Sequence, residues 1–123
     1  MTVYITNALS LNMIKRPEDA SPVFLRLLPM GAHDVAPEVE GQEWVSAIGH
    51  PDLAAVVADV TGLDVQANRI NVELTPDDYL IVAQYRGPRL EPGTTMLPVG
   101  ATIEFWAVEL WPPPDDRPKE IPF

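Results

Sequence analysis

The segment Pro51–Thr61 constrains this chain most, because its residue spacing admits only one regular structure. Within Leu53-Ala54-Ala55-Val56-Val57-Ala58-Asp59-Val60 the apolar residues at 53, 56, 57 and 60 fall on a single helix face. Pro51 suits the first helical position, where an N–H would have no helical partner, and Gly62 suits the stop. The spacing predicts a helix over 51–61. That helix sets His50 at the mouth of a helix N-terminus, directly after Gly49, whose bare backbone lets a ligand come close. Free N–H groups and the positive end of the helix dipole favour an anion there. Imidazole is also the side chain best able to pass a proton near neutral pH. Two readings of His50 stand open: a proton donor facing a ligand, or a histidine that only caps its helix.

The segments around this helix read as strands, which makes the fold class α/β. Thr2–Thr6 is β-branched and aromatic, a first strand, and Asn7 to Met13 alternates small polar with apolar residues. Residues 15–22 are expected to form a loop and 23–28 a second strand. Residues 29–41 hold two prolines, two glycines and several acids, so they are expected to be irregular. Residues 43–48 lead into the helix. Residues 68–74 alternate, with Ile70, Val72 and Leu74 on one face, and are expected to form a strand before a turn at Thr75-Pro76-Asp77-Asp78. Residues 79–85 and Thr102–Leu110 are further strands. The expected domain is 1–111, followed by a Pro-rich tail, 112–123, that runs extended. The tail is expected to be a loosely attached end, with a partner-binding arm as the alternative.

A chain of 123 residues forms one domain with a real core, needing neither disulfide nor metal. With no cysteine, it has no disulfide framework, zinc-thiolate site or thiol nucleophile. His33 and His50 lie far apart and lack metal-ligand spacing, so no metal and no cofactor are expected. No stretch approaches the roughly 20 apolar residues of a membrane span. The first residues, Met1-Thr2-Val3-Tyr4-Ile5, lack a signal peptide's basic and long apolar regions. A cytoplasmic location without membrane association is expected. The net charge of −10, with only eight Lys and Arg, argues against a duplex or general nucleic-acid binder. A small nucleotide in a local pocket needs only a few cations, for which Arg69, Arg86 and Arg89 are the candidates.

Four segments then matter together: Tyr4-Ile5-Thr6-Asn7-Ala8-Leu9-Ser10-Leu11-Asn12-Met13, Ala47-Ile48-Gly49-His50, Asn68-Arg69-Ile70-Asn71-Val72 and Arg89-Leu90-Glu91-Pro92-Gly93. In this order and spacing the chain resembles the viral anti-CRISPR ring nucleases that act against type III CRISPR immunity, and the related ring nucleases encoded beside those systems. The resemblance runs over about residues 2–93 and resumes at Ile103-Glu104-Phe105-Trp106. It implies a small mixed β-sheet flanked by helices, a single domain paired as a two-fold homodimer. It also implies a cyclic oligoadenylate ligand, the tetramer, lying across the dimer. The ring is cleaved without metal when a ribose 2′-hydroxyl attacks the adjacent phosphate, giving linear products with cyclic phosphate ends.

Carried over residue by residue, the resemblance makes His50 the general acid to the leaving 5′-oxygen. Asn7, Ser10 and Asn12 would hold ribose and phosphate, beside Gly49, Asn68 and Arg69. Arg89 would stabilise the phosphorane. Read from the residues alone, Asn7, Ser10 and Asn12 could equally satisfy backbone groups where the first strand ends, and Arg69 could be a surface arginine. The family pattern Arg-Leu-x-Glu-Gly carries a functional glutamate where this chain has Pro92, and Glu91 comes one residue early. In an extended segment Glu91 would face away from that glutamate's target, unless the preceding Gly87-Pro88 shifts the loop and returns it to the cleft. The family's helix before its last strand is also missing, because residues 94–100 are short and interrupted by Pro98. The expected function is a metal-independent ring nuclease, a hydrolase that damps type III CRISPR signalling. The alternatives are a protein that sequesters the cyclic nucleotide with little turnover, or a viral dimer without a nucleotide ligand.

Overall fold

A computed structural model of the chain describes residues 2–112; the expectation for an extended tail lies, beyond Pro112, outside the described residues. Five strands form one mixed sheet: β1 (Thr2–Thr6), β2 (Leu25–Met30), β3 (Glu43–Ser46), β4 (Tyr79–Arg86) and β5 (Thr102–Leu110). Their order is β2-β5-β4-β1-β3. β1 runs parallel to both β3 and β4, whereas β5 is antiparallel to β4 and β2. Helix α1 (Ala32–Val39) joins β2 to β3, and α2 (Pro51–Thr61) follows β3.

Both helices cover one face of the sheet. There Val35 and Val39 of α1, with Leu53, Ala54 and Val57 of α2, pack on Val3, Ile5, Ile81, Ala83 and Phe105. Fully burying each such side chain stabilises the fold by roughly 1.5–3 kcal/mol. Among the described residues, no α-helix covers the other face. Leu80, Val82 and Val108 are covered there by Val72, Leu74 and Met13 from the connecting segments. The mixed sheet with helices against it, in a single small domain, is the expected α/β class.

Helix α2 spans the residues its spacing predicts. Its N-cap is His50, Pro51 opens it, and Gly62 closes it in the left-handed conformation (φ 78°), donating its N–H to Ala58 at 2.9 Å. Helix α1 corrects the expectation of irregular structure at 29–41. Pro37 removes one helical hydrogen bond, a cost of about 3 kcal/mol in a helix interior. Burial of Val35 and Val39 offsets it, and Asp34 accepts the Gly31 N–H at 2.9 Å to secure the helix start. The second strand also starts later than expected, at Leu25, and includes Pro29. β2 is an edge strand, where a proline is tolerated.

Residues 68–74 are not a strand. Val65 packs on the helix-covered side, whereas Val72 and Leu74 pack on the opposite side. The segment therefore wraps the β3 edge, fastened where the Asn68 N–H donates to Ile48 at 2.8 Å. Its one ladder contact is the bridge of Leu74 to Ile14. The alternation reports real burial of Val72 and Leu74, but on the face of the sheet, while Ile70 stays exposed.

One buried acid makes a prediction about stability. Glu38 accepts a hydrogen bond from the Tyr79 hydroxyl at 2.9 Å and is 6% exposed. Desolvation raises its pKa, and the Tyr79 bond opposes that rise only in part. With the folded pKa above the unfolded one, the folded state holds more protons between the two values. Glu38 therefore costs stability as pH rises through that window and costs none below it. Glu38→Gln keeps an acceptor for Tyr79 without the charge. Its urea midpoint should depend less on pH, and at neutral pH it should match the parent or exceed it by up to about 1 kcal/mol. An unchanged pH profile with a lower neutral midpoint would contradict this.

Candidate functional site

Because β1, β3 and β4 run parallel, their carboxyl ends open on one edge of the sheet, the usual place for a ligand in an α/β fold. The β3 exit carries Gly49 and His50 into α2. The β4 exit becomes a loop, residues 87–93. Between them lies an open cavity of about 610 Å³, lined by His50, Asp52 and Leu53 on one side and by Tyr85 and residues 87–92 on the other.

His50 provides the backbone of the α2 cap but not its side chain. Its carbonyl accepts the Ala54 N–H at 2.9 Å, while the imidazole makes no capping bond and lines the cavity. His50 is thus the N-cap residue of α2 through its backbone alone. The β4 exit loop is shaped by short-range contacts. The Tyr85 hydroxyl donates to the Pro88 carbonyl at 2.7 Å, and the Glu91 carbonyl accepts both the N–H (3.1 Å) and the hydroxyl (2.6 Å) of Thr94. Gly93 follows in the left-handed region at φ 85°. Residues 89–93 thus turn rather than run extended, so Glu91 and Pro92 both line the cavity with Arg89.

The remaining candidates divide. Arg69 lies across Gly49, donating from Nε to the Gly49 carbonyl at 3.2 Å; a Cβ on Gly49 would sit 3.0 Å from Arg69 Cγ. Asn68 ties down the β3 exit, donating from Nδ2 to the Ser46 carbonyl at 2.7 Å. Gly49, Asn68 and Arg69 therefore support the His50 side of the cavity. Asn7 instead lines a second cavity of about 360 Å³ on the helix-free face, with Leu9, Leu27, Gln84 and Trp106. Ser10 accepts the Asn12 N–H at 3.2 Å at the head of a single 3₁₀ turn, Leu11–Met13, and Asn12 is exposed. Asn7, Ser10 and Asn12 are not among the residues lining the His50 cavity. Arg86 lies 3.9 Å from Glu104 on the surface, a pairing worth little.

The sequence reading missed Asp52 and Tyr85 in the cavity wall, and named Gly87-Pro88 only for the shift they could give the loop. An acid in the first turn of a helix is a common dipole partner, so Asp52 carried no distinct signal. Among the described residues no cluster of three or more His, Cys, Asp or Glu could hold a metal ion, and no helix is long and apolar enough to cross a membrane.

These features define a small α/β protein with a mixed five-stranded sheet, helices on one face, and a histidine-bearing cavity at the parallel strands' carboxyl ends. The chain matches the STIV B116-like family over residues 3–98 and belongs to that family. Its fold is similar to that of B116 of Sulfolobus turreted icosahedral virus, with a TM-score of 0.70 and 23% sequence identity, over 89% of this chain and 99% of that one. At that identity the likeness concerns the fold. No curated protein matches the chain.

Proposed function

We propose that this protein is a metal-independent ring nuclease for a cyclic oligoadenylate, the tetramer, and so damps type III CRISPR signalling. The observation that carries the reading is the convergence of His50, Arg89 and Glu91 on one open cavity at the carboxyl edge. Such a site suits internal transesterification. The nucleophile is the substrate's own tethered 2′-hydroxyl, so the protein need only align it, stabilise charge and protonate the leaving group. The 2′-oxygen forms its bond to the adjacent phosphorus and releases its proton to water. Arg89 offsets the phosphorane charge, and His50 gives a proton to the departing 5′-oxygen. The products are a 2′,3′-cyclic phosphate and a free 5′-hydroxyl.

Asn7, Ser10 and Asn12 enter this scheme through pairing. Two-fold assembly doubles each arginine and histidine around one cleft, and lets a second copy bring the β1 exit residues toward the first copy's His50. The apolar exposure of Leu9 (38%) and Leu27 (48%) beside Asn7 gives such pairing a surface. Light scattering at micromolar concentration should return a dimer mass; a monomer would count against the shared cleft.

Sequestration without turnover is the second reading, and Pro92 favours it, since proline can neither accept a hydrogen bond through its side chain nor orient a nucleophile. The purified protein incubated with cyclic oligoadenylates of several ring sizes, with bound and cleaved species resolved chromatographically, decides between the two. Linear products ending in cyclic phosphate establish the nuclease. Tight binding without products establishes sequestration, and no binding at all removes both.

A further inference from the structure

Asp52 poses a problem for any anion-binding reading of the cavity. It stands two residues beyond His50, in the first turn of α2, and its carboxylate lines the same wall. A negative charge there repels a phosphodiester, so a site that tolerates it must use it otherwise. Its observed contact supplies that use. Oδ1 of Asp52 accepts the backbone N–H of Gly93 at 2.9 Å, across 41 residues of sequence. Gly93 ends the loop that carries Arg89 and Glu91, and the other end is held by Tyr85 at Pro88. Leu90, between the two ties, packs against the core.

We infer that Asp52 is a positioning residue, a latch that fixes the 87–93 loop against the start of α2 and so sets Arg89 and Glu91 at a constant distance from His50. No helix follows this loop before β5. Its placement therefore depends on a few hydrogen bonds, and Asp52 holds the end nearest His50. The effect on turnover rests on the proposed ring nuclease activity, whereas the latch itself does not.

Two substitutions separate the latch from the charge. Asp52→Asn keeps an oxygen that can accept the Gly93 N–H and removes the negative charge. Asp52→Ala removes both. Amide hydrogen exchange of residues 87–94, measured without ligand, should be parent-like in Asp52→Asn and faster by on the order of tenfold in Asp52→Ala, the effect of one lost hydrogen bond to a charged acceptor. In single-turnover cleavage of cyclic tetra-adenylate, Asp52→Ala should slow the step about tenfold with a smaller change in affinity. Asp52→Asn should restore the rate and bind at least as tightly as the parent. Should Asp52→Ala fail to fold, Asp52→Ser keeps a hydroxyl for the helix N-terminus but is too short to reach Gly93, and its exchange takes the place of the alanine result. Unchanged loop exchange in Asp52→Ala or Asp52→Ser overturns the latch. So does a pair of variants that both bind more tightly and cleave alike, which would make Asp52 merely a repulsive charge. If the parent neither binds nor cleaves the ring, the ring nuclease reading falls, and the exchange measurement alone decides the latch.

Discussion

His50→Ala should slow single-turnover cleavage of cyclic tetra-adenylate by about 100-fold or more while leaving most of the binding intact. The imidazole lines the cavity without making a capping bond to α2, so its removal takes away a proton donor and leaves the helix start standing. Leu53, Ala54 and Val57 still hold α2 on the sheet, so the melting temperature should change little. A factor of 100 corresponds to about 2.7 kcal/mol of transition-state stabilisation, within the reach of one general acid. In the proposed reaction the ring's own hydroxyl is the nucleophile, so the parental rate should also persist in excess chelator. Rapid-quench measurements with and without chelator test both points. An unaffected alanine variant, or a chelator-sensitive parent, would remove His50 from the role of general acid.

The second large effect belongs to a residue with no side chain. A Cβ on Gly87 would lie 2.6 Å from the Ala101 Cβ and 2.7 Å from the Tyr85 hydroxyl oxygen, closer than such atoms approach. Gly87→Ala therefore forces either Ala101, just before β5, or Tyr85 to move. Overpacking of this kind costs about 1–3 kcal/mol. The displaced Tyr85 hydroxyl would also lose the Pro88 carbonyl, freeing the loop that carries Arg89. The expected result is a lower thermal midpoint together with a cyclic tetra-adenylate affinity weaker by about tenfold, the effect of a displaced charged contact. Adding Ala101→Gly removes the nearer clash and should recover part of the midpoint. Parental stability in Gly87→Ala would show that the β4 exit is looser than its contacts imply.

Glu91 shows how far loop chemistry can depart from a pattern. Extended-chain alternation would turn it away from Pro92's side, yet the turn closed by Thr94 brings both Glu91 and Pro92 to the cavity wall. Whether Glu91 serves the proposed cleavage is a matter of chemistry, and comparison of the parent with Glu91→Gln tests it in the same rapid-quench assay.

Local chemistry by itself determined β1, β5 and α2, because their signals are short-range: β-branched alternation, a proline at the first helical position, a glycine at the stop. It also set His50 at the α2 entrance. Elsewhere the sequence carried competing signals that only packing resolved. Pro37 and Gly31 argue against a helix, and α1 forms because Val35 and Val39 find Val3, Ile5 and α2 beneath them. Residues 68–74 alternate like a strand, yet the open face of the sheet rather than an edge receives Val72 and Leu74. The site divides in the same way. That His50 follows Gly49 at a helix mouth is a fact of neighbouring residues. That Arg89 and Glu91 share its cavity depends on parallel strands opening on one edge, and on Asp52 meeting Gly93 across 41 positions. Side chains so far apart in sequence meet only when the sheet has set its register, and no local pattern encodes that meeting.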